Sequence, residues 1–355
     1  MAVNEEAGNV RTGEEIPVND LEAYVKSRIP EAAGSMEVKQ FPGGHSNLTY
    51  LLKFGNYEMV MRRPPFGTKV KSAHDMGREY KVLNALAPVF PCAPKPLVYT
   101  EDVSIIGCPF LIMERLNGIV IRGDIPQGIH IDADQAERLC YNLIETQYEL
   151  HSIDYRRIGL GDFGKPRGYM GRQVTGWSKR WEGSKTPDAP DCQDVMEWLA
   201  HHVPPDTEHP GIVHGDYKFD NVLVDPADPV TISGILDWEM ATIGDPAADL
   251  AYTLIWWPRR NTPETAAVGS LPPLLSRAVC REELAAYYER LAGRPIENLS
   301  FYMGFNFFRL GVILQQIYYR FFHGLTRDNR FGAFKTTIQH LMAGAAEEIE
   351  RTRPI

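Results

Sequence analysis

The stretch that decides the fold is Ile212-Val213-His214-Gly215-Asp216-Tyr217-Lys218-Phe219-Asp220-Asn221, followed by Ile235-Leu236-Asp237-Trp238-Glu239. The apolar pair at 212–213 predicts a buried strand that runs into a loop holding an acid, a base and an amide. Residues 222–224 and 231–236 read as two short strands. They are joined across Asp225-Pro226-Ala227-Asp228-Pro229, which is turn chemistry. Asn221 enters that hairpin and Asp237 leaves it, so the two oxygen-bearing side chains are expected at one spot. Paired hard oxygen donors suit Mg²⁺, which keeps waters and substrate phosphates as its other ligands. Asp216 is expected nearby, with a carboxylate to accept a hydroxyl proton, and Lys218 places a positive charge beside it. Base, metal pair and cation are the parts of a phosphoryl-transfer site.

Working outward towards the N-terminus, residues 36–41, 49–54 and 57–62 alternate as strands. Gly55-Asn56 is a two-residue hairpin signal between the last two. Residues 72–87 carry helical spacing, and 97–100 and 110–114 are further strands. A short amphipathic helix over 21–29 stops before Pro30, and residues 1–20 read as a mobile polar tail. The pattern changes at Leu116-Asn117-Gly118. Beyond it lie a long helix over 132–151 and an apolar helix over 301–322. The segment 161–210, rich in Gly, Pro and Asp, predicts irregular surface structure. The expected organisation is α+β: a tail (1–20), a small antiparallel-sheet lobe with one helix (21–115), and a larger, mainly helical lobe (116–355).

Composition bounds the function. The 355 residues are 44% hydrophobic and 23% charged, which is ordinary globular composition. Acidic side chains outnumber basic ones 46 to 37, for a net charge of −9. Phosphate-backbone binding needs a positive field, so a nucleic-acid partner is not expected. Cys92, Cys108, Cys140, Cys192 and Cys280 are scattered, with no CxxC pair, which fits a reducing, cytoplasmic setting. No targeting pattern opens the chain. The apolar run 301–322 is interrupted by Asn306, Arg309, Gln315, Gln316 and Arg320, so it reads as a buried helix and no membrane partner is expected. Oligomeric state is not legible in the chain.

His214-Gly215-Asp216 through Asn221, followed by Asp237-Trp238-Glu239, resembles the aminoglycoside phosphotransferase family within the protein-kinase-like fold. The likeness is strongest to the branch whose members are fused to acyl-CoA dehydrogenases. Phe41-Pro42-Gly43-Gly44-His45-Ser46-Asn47, Arg62-Arg63-Pro64-Pro65 and Gly244-Asp245-Pro246-Ala247-Ala248-Asp249-Leu250 extend the likeness over roughly 36–322. The resemblance implies an ATP- and Mg²⁺-dependent phosphotransferase acting on a hydroxyl of a small molecule. Asp216 would orient or deprotonate that hydroxyl, with Lys218 in its catalytic loop, and Asn221 and Asp237 would bind Mg²⁺. Gly43, Gly44, His45, Ser46 and Asn47 would cover the ATP phosphates. Val60 would lie beneath the adenine, Arg62 would reach the phosphates and pair with Glu79, and Met113, Glu114 and Leu116 would form the adenine hinge. Two features depart from the general kinase pattern. An arginine stands where a lysine is usual, with Arg63 beside it and the register open. The phosphate loop also has only two adjacent glycines.

Other readings stand beside these. His214 reads as structural, and Glu239 as either a third metal ligand or a surface acid, with the surface role favoured. Asp245 before Pro246 reads as a helix N-cap, and Asp249 as a brace for the catalytic loop. Asn306, Arg309, Gln316 and Arg320 share a stripe about 80° wide. This is either internal pairing, such as Arg309 with Asp249, or a substrate pocket using Arg309, Arg320 and Trp256. Arginines suit an anionic acceptor, such as a hydroxylated acyl compound, better than a polycationic aminoglycoside. A non-catalytic nucleotide-binding module is the main alternative. A metallohydrolase on His214, Asp216 and Asp237 lacks further histidines and leaves Asn221 unexplained.

Overall fold

The computed structural model describes residues 7–42, 47–66, 75–260, 271–326 and 328–351. Helix α1 (Val18–Arg28) leads into β1 (Met36–Gln40), β2 (Leu48–Phe54) and β3 (Tyr57–Arg63). Next come α2 (Met76–Leu86), β4 (Pro96–Thr100), α3 (Val103–Ile106), β5 (Phe110–Glu114) and β6 (Ile119–Val120). Helices α4 (Ala133–Ser152), α5 (Tyr169–Ser184) and α6 (Gln193–His201) precede β7 (Gly211–Val213), β8 (Val222–Val224), β9 (Ile232–Ile235) and β10 (Thr242–Gly244). The chain ends in α7 (Pro246–Leu254), α8 (Pro273–Ala278), α9 (Arg281–Ala292), α10 (Leu299–Phe322) and α11 (Phe334–Glu350). The architecture is the expected α+β one.

Two compact units divide the chain, and not at one point. The first comprises Met1–Asn142, Arg156–Leu160 and Lys218–Ala241. The second comprises Leu143–Tyr155, Gly161–Tyr217 and Thr242–Ile355. The residues just after 116, and the β8–β9 hairpin, therefore group with the N-terminal sheet.

In the first unit, five strands form an antiparallel sheet in the order β1-β2-β3-β5-β4. Alternation along β3 assigns its two faces: Met59 and Met61 are fully buried, whereas Glu58 and Val60 are half-buried. The methionines join Leu21, Val25, Tyr50, Leu52, Phe110 and Ile112 in one core. Residues 7–17, expected as mobile tail, are tied to the sheet instead. Gly8 bridges Gln40, Ile16 is buried, and the Tyr50 hydroxyl donates to the Glu14 carbonyl at 2.7 Å. Of the helix expected over 72–87, residues 72–74 lie outside the described residues; α2 is capped by the Asp75 carboxylate, which accepts from the Arg78 amide. The predicted hairpin forms: β8 and β9 pair antiparallel with Val222 opposite Ile235, and β6 adds to the outer side of β8.

In the second unit, α10 is the central element, burying Phe301, Met303, Phe305, Phe308 and Val312 against α11, α7 and α5. The segment 161–210 is the clearest departure from expectation. It contains α5 and α6, and α5 buries Met170, Val174, Trp177 and Trp181 on one face. Their spacing is helical, but glycines at 171, 176 and 183 masked it. Strand β7 pairs antiparallel with β10, Ile212 facing Ile243. A side chain at Gly211 would meet the His151 carbonyl at 2.6 Å, so only glycine lets this strand approach α4. Among the described residues no helix is long and apolar enough to cross a membrane. None of the five cysteines forms a disulfide.

Candidate active site

In the first unit the β8–β9 hairpin sets the geometry. A short 3₁₀ turn, Phe219–Asn221, delivers the chain into β8, and Asn221 is buried at its end. The Asn221 carbonyl accepts from the Leu236 amide at 2.8 Å, which brings the stretch leading to Asp237 alongside Asn221. Asp237 then takes a left-handed backbone conformation (φ 67, ψ 60) before the 3₁₀ turn Trp238–Met240. Such a φ is uncommon outside glycine, and Asp is among the few residues that adopt it readily.

Arg62 projects from β3 into a cluster of acids. One guanidinium nitrogen, Nη1, makes a short ion pair with Glu79 of α2. The other, Nη2, donates to Asp237 Oδ1 at 2.8 Å and to Glu239 Oε2 at 3.1 Å. Burial alone would lower the Arg62 pKa, but Glu79, Asp237 and Glu239 together raise it, so the arginine is firmly charged. Glu79 is almost fully buried, and that burial pushes its pKa up against the pull of Arg62. Arg63 faces the opposite side of the strand, with its guanidinium 3.8 Å from the Phe66 ring centroid. Arg62 is thus the arginine on the acidic face.

Glu239, favoured above as a surface acid, is largely buried and bonded. Its Oε2 also accepts from Asn47 Nδ2 at 2.5 Å. A strand-end acid two residues beyond Asp237 gave no sequence signal for this, because the bond depends on β2 and β3 lying beside it in space. Gly43, Gly44, His45 and Ser46 lie outside the described residues. Val60 pairs with Met113 across the β3–β5 ladder, and Leu116 is half-buried two residues beyond β5. The Glu114 amide is already committed to the Lys95 carbonyl at 2.9 Å. Lys218 is half-buried and caps the 3₁₀ turn that leads to Asn221.

In the second unit the loop 214–217 is braced from α7. Asp245 caps that helix, accepting from the Ala247 amide, with Pro246 in its first turn as the sequence predicted. Asp249 accepts from the amides of His214 at 2.9 Å and Gly215 at 2.8 Å, and it also meets His151 Nε2 at 3.1 Å. Burial would raise the Asp249 pKa, but the hydrogen bond from His151 and the amide of His214 help bring it down to about 2. Gly215 takes φ +85, the left-handed region that favours glycine. His214 is fully buried and its Nδ1 accepts from the Asp216 amide, which is a structural role. The Asp216 carboxylate is half-buried and accepts from the Tyr252 hydroxyl at 2.6 Å.

The polar stripe on α10 divides. Asn306 and Arg309 are buried, while Gln316 and Arg320 are exposed. Arg309 was expected to pair internally, for example with Asp249, or to line a substrate pocket. It donates to the Gly215 carbonyl at 2.6 Å and lies over the rings of Tyr252 and Trp177. Eleven residues of helix separate Arg309 from Arg320 by about 16 Å along the axis, too far for one small anion. Trp256 sits edge-on to Tyr252.

The chain is similar to several known proteins. The profile of the phosphotransferase enzyme family (APH) matches residues 37–299. Acyl-CoA dehydrogenase family member 11 of Gallus gallus is 33% identical over 335 residues, covering 91% of this chain and 42% of that protein. The chain spans less than half the length of the curated relatives it matches. A crystal structure from Ralstonia eutropha JMP134, of a protein assigned as an aminoglycoside phosphotransferase, has a TM-score of 0.82 at 30% identity. It covers 96% of this chain and 100% of its own. A thermostable mutant of aminoglycoside phosphotransferase APH(4)-Ia, in ternary complex with AMP-PNP and hygromycin B, shares the fold with a TM-score of 0.58 at 17% identity. That match covers 92% of this chain and 99% of its own. The neighbours share the kinase-like α+β fold, and the profile match over 37–299 shows the family: the chain belongs to the phosphotransferase enzyme family.

Proposed function

We propose that the chain transfers the γ-phosphate of ATP, with Mg²⁺, to a hydroxyl of a small molecule. The observation that supports this reading is the β8–β9 hairpin, whose backbone brings Asn221 alongside the stretch that leads to Asp237, with Glu79 and Glu239 near Asp237 through Arg62. Three carboxylates, of Glu79, Asp237 and Glu239, face the single guanidinium of Arg62. Hard oxygen donors among acids fit a small divalent cation. Among the described residues no group of three or more His, Cys, Asp or Glu is placed to hold a metal alone. A Mg²⁺ site completed by phosphates does not need one. Asn221 and Asp237 would hold the ion, whose chemistry there is to neutralise phosphate charge.

The remaining steps belong to the chain's own residues. Asp216 orients the acceptor hydroxyl and takes its proton as the new oxygen–phosphorus bond forms. The bond from phosphorus to the β,γ-bridging oxygen breaks, and ADP leaves with that electron pair. Lys218 and Arg62 offset the charge that develops on the phosphate oxygens; such catalysis is positioning plus electrostatics. Nucleotide use is supported by the AMP-PNP complex of APH(4)-Ia. The name of the acyl-CoA dehydrogenase relatives supports a hydroxylated acyl acceptor over an aminoglycoside. The partner is a small molecule, with neither nucleic acid nor membrane required.

One observation favours a second reading, a non-catalytic nucleotide-binding module. Arg62 is engaged by three acids at once, where a kinase lysine would turn to phosphate. The test compares wild type with Asp216→Asn in ATP and Mg²⁺ over kanamycin, hygromycin B and hydroxyacyl-CoA thioesters. Removing a general base lowers the rate by about 10²–10⁴. Equal transfer by both proteins removes Asp216 from the mechanism. Mg²⁺-dependent ATP binding with no transfer to any acceptor establishes the second reading.

A further inference from the structure

Helix α7 reaches every residue of the loop 214–217. Asp249 takes the amides of His214 and Gly215, and the Thr253 hydroxyl donates to the Tyr217 carbonyl at 3.0 Å. From α10, Arg309 takes the Gly215 carbonyl. These contacts all hold backbone. Tyr252 differs: its hydroxyl donates to a side-chain oxygen, Asp216 Oδ1, at 2.6 Å. Residues 249, 252 and 253 share one face of a helix, so a single rigid element sets both the loop path and the carboxylate it carries.

Tyr252 is itself immobilised. It is 2% exposed, the Arg309 guanidinium lies 4.8 Å from its ring centroid, and Trp256 meets its ring at 6.0 Å and 80°. A tyrosine needed only for volume would be served by phenylalanine, yet here the hydroxyl ends on the one carboxylate of the loop. Hydrogen bonds from O–H to an ionised carboxylate are short and strong, and this one lies in that range. We propose that Tyr252 is a positioning residue, whose phenol fixes the rotamer of Asp216 against the acceptor hydroxyl. The inference rests on the phosphotransfer reading and adds to it a residue that acts through Asp216. A carboxylate free to turn about two side-chain bonds loses near-attack geometry, and small misplacements of this kind are costly in rate.

The test is a double-mutant cycle in the full chain: wild type, Tyr252→Phe, Asp216→Asn and the double variant. Each is assayed for ADP formation with ATP and Mg²⁺, first with the best acceptor of the panel above and then with water as acceptor. Tyr252→Phe is expected to lower kcat at least about tenfold, the scale of one hydrogen bond to a charged group. The KM for ATP should be unchanged. In the Asp216→Asn background the same substitution should cost nothing further. If Tyr252→Phe turns over like wild type while Asp216→Asn collapses, the inference fails and the phosphotransfer reading stands. If Tyr252→Phe costs as much in the Asp216→Asn background, it acts independently of Asp216 and the proposal is overturned. If Asp216→Asn is as fast as wild type, the reading fails and the inference goes with it.

Discussion

Arg62 shows what one side chain must balance. Its guanidinium fork serves Glu79 on one nitrogen and Asp237 and Glu239 on the other, a geometry that an ammonium cannot copy. Removing one partner of a buried ion pair strands the remaining charges, at a cost of about 3–5 kcal/mol. Arg62→Ala is therefore expected to lower unfolding free energy in urea by about that amount. Arg62→Lys should recover part of it, keeping the charge but losing the two-sided reach. An Arg62→Ala midpoint equal to wild type would mean that the cluster contributes nothing to the fold. The choice between Arg62 and Arg63 was not legible, since a slip of one residue exchanges the two faces of a strand. Burial of Met59 and Met61 settles it, by committing the odd-numbered face of β3 to the core.

At the scale of elements, α5 tests how a segment dense in glycine still makes a helix. Its glycines lie off the buried stripe, and Trp181 is fully buried near Phe308 of α10. Trp181→Ala should lower stability by about 3–5 kcal/mol, measured by urea or thermal unfolding, as for any large aromatic lost from a core. A change below 1 kcal/mol would return the segment to the surface role its composition suggested. The β8–β9 hairpin was legible because it is local: two apolar runs, a Pro/Asp turn and flanking oxygen donors fix its ends. The N-cap at Asp245 was legible for the same reason. Tyr252 and Glu239 were not. Their bonds join residues 36 and 192 positions from their partners, where no spacing rule reaches.

Across the whole molecule, acid response follows from Asp249. A carboxyl held at about 2 in the folded chain has an ordinary value near 3.9 once unfolded. Its folded pKa is depressed, so its contribution is complete above the unfolded value and disappears as pH falls towards the folded one. The gap is worth on the order of 2 kcal/mol at neutral pH. The stability difference between wild type and Asp249→Asn should hold steady from pH 7 to about 4 and shrink between about 4 and 2. A difference independent of pH over that window would mean that the Asp249 charge does not support the loop. The α+β class was legible from the switch between strand-like and helix-like patterns along the chain. The two-part interleaving of the chain was not, because it depends on where the hairpin after Tyr217 is housed.

The left-handed turn at Asp237 limits how this position can drift. Alanine there would change backbone and charge together, whereas asparagine and glycine accept the same φ. Both are reached from an aspartate codon by a single base change. Asparagine would leave the turn intact and strip one negative charge from the candidate ion site. If the proposed phosphotransfer holds, a well-folded descendant that has lost it is therefore one nucleotide substitution away.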